Sequence, residues 1–144
     1  MIIIGWDFHP SGQQVYGVDD RTGEVIADQW ISHRGDELER FYPALPAGAE
    51  VGVESSGNML WFERRLRQYG HRLRRGDAAK IRSKETRKQK HDGRDAQLIA
   101  RLMLAKDFAE LEWVPSLEQR DQRQFAISWC GCGRRSRTSC STWH

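Results

Sequence analysis

No stretch of this sequence is apolar for the roughly 20 residues that a membrane-spanning helix needs. Its first residues, Met1-Ile2-Ile3-Ile4-Gly5, carry no basic flank of the kind that precedes a secretory leader. No membrane partner is therefore expected, and a cytoplasmic location is the default. Cysteine is scarce: the three present, Cys130, Cys132 and Cys140, all fall in the last fifteen of 144 residues. Cys130-Gly131-Cys132 is tighter than zinc-ligand spacing and no second pair completes a site, which excludes a zinc knuckle and a disulfide framework. A glycine-rich phosphate loop is missing too. His9-Pro10-Ser11-Gly12 follows the first apolar run without supplying one, so an actin-like sugar kinase or ATPase ranks last among the readings. There is no internal repeat.

Acidic residues are sparse in one region. From Arg64 to Arg94 there are thirteen Lys or Arg against three Asp or Glu, a local charge of +10, whereas the remainder carries ten against seventeen. A solvated helix face would place acids four residues from its bases, and few are present here. Such a segment is the electrostatic footprint of a polyanion, and nucleic acid is the expected partner. With 38% hydrophobic and 30% charged residues, the chain has the composition of one globular domain with a real core.

The pattern of apolar residues predicts the following order. Ile2 to Asp7 is a strand ending in an acid. Gln13 to Asp19 and Glu24 to Ile31 follow as strands joined by the turn Asp20-Arg21-Thr22-Gly23, giving an antiparallel meander. Asp36 to Leu45 has helical spacing, with Pro43 expected to end or bend the helix near Tyr42. Glu50 to Glu54 is a strand with Val51 and Val53 on one face. Ser55-Ser56-Gly57-Asn58 opens a helix with Leu60, Trp61, Phe62 and Leu66 as its apolar positions, and Gly70 suits the position just past its end. His71 to Arg75 reads as a short strand that Arg74 and Arg75 weaken. Ala78 to His91 reads as a helix or as a loop ordered by a partner, and Asp92 to Ala105 as an amphipathic helix. This order is that of an α/β, ribonuclease-H-like fold: a mixed sheet of three antiparallel strands, then alternating strands and helices.

Four acids fall where such a fold would converge them. Asp7 and Glu54 end the first and fourth strands. Asp92 and Asp95 share the first turn of the last helix, where unpaired N–H groups and the helix dipole also favour acids for ordinary reasons. Carboxylate oxygens suit hard divalent ions such as Mg²⁺ or Mn²⁺, and two ions on such a set could stabilise both oxygens of a phosphodiester displacement. No His or Cys pattern competes as a metal site. Trp6 and Trp61 are expected in the core, and His9 at an exposed turn. Arg94, between the two aspartates, would orient a carboxylate or meet a phosphate. Arg72, Arg74, Arg75, Lys80, Arg82, Lys84, Arg87, Lys88, Lys90 and Arg94 are the candidate phosphate contacts.

Three motifs then make a resemblance specific: Gly5-Trp6-Asp7-Phe8-His9, Val53-Glu54-Ser55-Ser56-Gly57-Asn58 and Lys90-His91-Asp92-Gly93-Arg94-Asp95-Ala96. Together they resemble the N-terminal RuvC-like DEDD domain of insertion-sequence transposases of the Piv/MooV family, the RNA-guided recombinases related to the pilin gene invertase. The resemblance covers about residues 1–124, and Val114-Pro115-Ser116 and Gln119-Arg120-Asp121 are similar to that family's link into its helical segment. It implies that Asp7, Glu54, Asp92 and Asp95 are the catalytic, metal-binding acids. It also implies Mg²⁺ or Mn²⁺ as cofactor and DNA with a guide RNA as partners; a homo-oligomer is left open. His91 departs from the family's small polar residue, and Arg74-Arg75-Gly76 from its apolar strand end.

The implied domains are 1–109 for the RuvC-like unit and 110–124 for the start of a helical linker. After Gln124 neither period persists. Trp-Cys-Gly-Cys-Gly can be written in codons that, read one base over, give Leu-Val-Arg-Met-Arg or close variants, and permitted codons continue it as Thr-Glu-Ile-Lys-Asn-Gln-Leu-Gln-His-Leu, an ordinary amphipathic basic helix. Residues 125–144 are therefore expected to be a frameshifted, non-native tail. The family places a catalytic serine in a second domain, and Ser136, Ser139 and Ser141 do not replace it. The expected function is a truncated transposase domain that binds nucleic acid. The competing reading is a nucleic-acid-binding module without catalysis.

Overall fold

The computed structural model describes residues 1–55, 59–84 and 92–111, with Asp92 and Gly93 described by backbone alone. Its fold is α/β. The first three strands, β1 (Ile2–His9), β2 (Gly12–Asp19) and β3 (Val25–Ser32), form an antiparallel meander. Helix α1 (Glu37–Ala44) then leads to β4 (Glu50–Glu54), which runs parallel to β1. Helix α2 (Leu60–Gln68) precedes β5 (Arg72–Gly76), parallel to β4. The short α3 (Ala78–Ser83) and the longer α4 (Asp92–Leu104) complete the described elements. Strand order across the sheet is β3-β2-β1-β4-β5.

Strand alternation sends side chains to two faces. On one face Ile2, Ile4, Trp6, Val15, Ile31, Val51 and Val53 pack with Leu38 and Tyr42 of α1 and with Phe62 and Leu66 of α2. The other face carries Ile3, which joins Ile99, Leu102 and Met103 of α4, Ile81 of α3 and Phe108. The seam under α4 is made by glycines. A Cβ on Gly5 would lie 1.8 Å from the Ala96 carbonyl oxygen and 2.6 Å from the Ala100 nitrogen. One on Gly52, its partner on β4, would meet Met103 Sδ at 2.2 Å. Helix backbone thus rests directly on strand backbone, an approach only glycine allows.

Four expectations are corrected. The first strand does not end at Asp7: pairing with β2 carries β1 on to His9, so Asp7 lies inside the strand. Helix α1 runs past Pro43 to Ala44. Pro43 lies in the last turn, so the acceptor that loses its partner is the carbonyl of exposed Glu39, which water can serve. Leu45 N–H then closes the end on the Tyr42 carbonyl. Trp61 is 42% exposed, not core, because Leu60, Phe62 and Leu66 are the buried positions of α2 and Trp61 lies off their face. The strand expected from His71 to Arg75 is shifted by one residue: β5 spans Arg72–Gly76, a full strand despite its charges, and the buried His71 precedes it. Gly70 follows α2 with φ of +78°, as expected of a glycine past a helix end.

Residues 110 and 111, where the sequence pattern starts a linker, run beside β5: Glu110 bridges Gly76 and Leu111 N–H donates to the Arg75 carbonyl. The first compact unit ends at Leu111. The expected linker beyond it, the 125–144 tail, and the Ser56-Gly57-Asn58 and Arg87, Lys88, Lys90 and His91 positions lie outside the described residues. Among the described residues no helix is long and apolar enough to cross a membrane.

Candidate functional site

Backbone register places two of the four acids, Asp7 and Glu54, side by side. Gly5 pairs with Gly52 and Trp6 with Val53 on the parallel strands β1 and β4. One step further stand Asp7 and Glu54, on neighbouring strands about 4.8 Å apart. Both lie on the α4 face, two residues beyond the glycines that touch α4. The direction of α4 completes the geometry. Ile3 packs with Ile99, Leu102 and Met103, while Gly5 lies against Ala96 and Ala100, so advancing along β1 retreats along the helix. Two strand residues cover about 6.6 Å, and the helical turn from Ala96 back to Asp92 covers about 6 Å. The first turn of α4, which holds Asp92 and Asp95, immediately precedes Ala96, the residue that lies against Gly5 two positions before Asp7. Asp7 and Asp95 are half-buried. The side chain of Asp92 is outside the described residues.

Glu54 has a cation already. Arg82 of α3 donates from Nη2 to its Oε1 at 2.7 Å. Asp77 caps α3, accepting from the Ala79 and Lys80 N–H groups, and Ile81 anchors the helix in the core. That anchoring aims Arg82 at the end of β4. Among the described residues no three His, Cys, Asp or Glu side chains stand close enough to hold a metal ion.

The same row of the sheet continues away from β4. Asp7 pairs with Gln14 on β2, and Gln14 with Trp30 on β3. Gln14 donates from Nε2 to Asp28 at 3.0 Å. The Trp30 ring lies 5.7 Å from that of His9. On the opposite face, His33 is flanked by Phe8 at 5.4 Å and Trp61 at 5.3 Å between ring centres. Burial there holds the His33 pKa below its usual value, with the nearby His9 adding to the effect against the Pro10 backbone.

The expected phosphate contacts divide. Arg72, Lys80, Arg82 and Arg94 are exposed. Arg74 is bound to Glu50 at 2.9 Å and to Glu110, and lies over the Phe108 ring. Burial alone would lower its pKa; the two carboxylates outweigh that. Arg75 is paired with Glu63 of α2 at 2.8 Å, and Lys84 with the side chain and carbonyl of Asp107. Sequence reasoning missed two things here: Arg82 as the partner of Glu54, and Trp30 as a member of the acid row. Trp30 could not be placed from sequence, because a register irregularity between Gly17 and Val18 separates the turn from the row. Compared with known proteins, the chain matches no protein-family model and no curated protein.

Proposed function

We propose that residues 1–111 form a ribonuclease-H-like domain of an insertion-sequence transposase of the Piv/MooV type. In this reading it binds DNA and a guide RNA and carries a divalent-metal site on Asp7, Glu54, Asp92 and Asp95. The observation that supports the reading is the placement of two acids: Asp7 and Glu54 stand side by side on parallel strands, on the sheet face that α4, the helix bearing Asp92 and Asp95, covers. The donor set fits Mg²⁺ or Mn²⁺, since all four groups offer hard oxygens. When bound, a divalent pair would stabilise the attacking and leaving oxygens of a phosphodiester. The chain's own part is to hold Asp7 and Glu54 in one row of the sheet and to set exposed Arg72, Lys80, Arg82 and Arg94 where they can meet the strand's phosphates.

One observation favours the second reading, a binding module without catalysis: Glu54 is engaged by Arg82 and no complete ligand trio stands among the described residues. Nicking of supercoiled DNA in Mn²⁺ separates the two. The transposase reading expects Mn²⁺-dependent nicking that Asp7→Asn abolishes, and calorimetric Mn²⁺ binding that Asp7→Asn/Asp95→Asn removes. DNA binding with no nicking and no Mn²⁺ uptake would establish the binding module instead.

A further inference from the structure

Trp30 is 43% exposed on edge strand β3, yet its indole is not loose. A Cβ on Gly12 would lie 2.5 Å from both Cε2 and Cζ2 of the indole, so the ring rests against a strand position that only glycine leaves open. His9 flanks it at 5.7 Å. One side of the ring is thus seated while much of the rest faces solvent. Its position is set by the sheet: Glu54, Asp7, Gln14 and Trp30 occupy successive strands of one row and share one face. Two strand spacings put the Trp30 position about 10 Å from that of Asp7. That is one to two nucleotides along an extended strand.

We propose that Trp30 is a stacking platform for an unpaired base of the nucleic-acid strand whose phosphate lies at the Asp7–Glu54 end of the row. The proposal rests on the nucleic-acid reading above. A seated aromatic ring with an open face is what a splayed base stacks on, whatever its identity, because every base offers a π-face. Charge complementarity selects the same partner: the Arg64–Arg94 segment carries +10 and Arg82 reaches the neighbouring acid. Seating by Gly12 fixes the ring before the base arrives, which lowers the ordering cost of binding.

The test uses the full 144-residue chain and two dye-labelled single strands of about 12 nucleotides, within the usual site size. One is oligothymidine; the other has the same phosphates but abasic sugars at every position. Anisotropy titration at one fixed salt concentration gives the affinities. Wild type should bind the intact strand about 5- to 100-fold more tightly than the abasic strand, the range expected for stacked bases. Trp30→Ala should lose most of that preference while its affinity for the abasic strand changes less than about twofold. Trp30→Phe should keep much of the preference. Trp61→Ala, which removes an equally exposed ring from the opposite face, should leave it unchanged. Equal binding of the two strands by wild type overturns this proposal and leaves the nucleic-acid reading standing, and the comparison needs no variant to fold. Loss of the preference in Trp61→Ala but not in Trp30→Ala overturns the assignment to Trp30. No binding of either strand overturns both readings.

Discussion

Arg74 and Arg75 are adjacent, point to opposite faces of β5, and each ends on a carboxylate of another element. Arg75 and Glu63 are 12% and 15% exposed, so the pair is shielded enough for its loss to matter. Arg72, at the start of the same strand, is exposed. Arg75→Ala should therefore destabilise the fold by on the order of 2 kcal/mol, because it removes a shielded ion-pair partner of the Glu63 carboxylate. Arg72→Ala should stay within about 0.5 kcal/mol, as exposed substitutions do. Urea unfolding of the two variants reads the difference. The sequence could not separate these arginines, since alternation gives the face but not the acid waiting on it. His33 makes a second residue-scale case. Its folded pKa is depressed by burial, so below about pH 6.5 the unfolded chain takes up a proton that the folded chain does not. Stability present above pH 6.5 is then lost as the pH falls towards the folded value. Thermal melts between pH 7.5 and 5.5 should show this loss in the wild type and less of it in His33→Phe.

Elements are legible where they depend on local pattern and obscure where they depend on neighbours. Strands β1 to β4 follow from apolar runs and alternation, and β4 spans Glu50–Glu54 as its pattern predicts, whereas the arginine-rich β5 is a strand only because β4 offers it a parallel partner. Pro43 misleads because the rule against proline concerns helix interiors, and it sits in the last turn. Trp61 misleads because hydrophobicity alone ignores the phase of the helix. For the acids, Glu54 at a strand end and Asp92 and Asp95 at a helix start are legible; that β1 runs past Asp7 to His9 is not, and neither is the Arg82–Glu54 pair, which depends on the seating of α3. The tightest junction is that of α4 with β1, where no side chain separates Gly5 from Ala96. Gly5→Ala should push the helix outward, costing about 3 kcal/mol or more because the obstructing atoms are backbone and cannot rotate away. If the acids converge through this seam, the same variant should weaken Mn²⁺ binding more than its loss of stability explains. Calorimetry at a temperature where the variant is fully folded checks it; unchanged Mn²⁺ affinity would separate the seam from the site.

At the scale of the whole molecule, the +10 segment is not uniformly available to a polyanion. Of the ten candidate phosphate contacts, Arg74, Arg75 and Lys84 are held by Glu50, Glu110, Glu63 and Asp107. Seven candidates then remain: Arg72, Lys80, Arg82, which stays exposed although paired with Glu54, Arg87, Lys88, Lys90 and Arg94. Each phosphate neutralised on a single strand contributes about −0.7 to the slope of log affinity against log salt. Seven contacts predict a slope of about −5, and all ten would give about −7. The slope should therefore lie at about −5 or shallower, and Arg74→Ala, with its ion pairs removed, should leave it unchanged while lowering stability. Arg72→Ala or Lys80→Ala should make it shallower by up to about 0.7 each, with little effect on stability. Arg82→Gln has a further consequence. Removing this guanidinium takes away a phosphate contact and at the same time uncovers Glu54. Strand affinity should fall while affinity for Mn²⁺ rises, because the metal no longer competes with a built-in cation. A joint fall in both affinities would show instead that Arg82 holds Glu54 in place for the metal, and that the ion pair belongs to the assembled site.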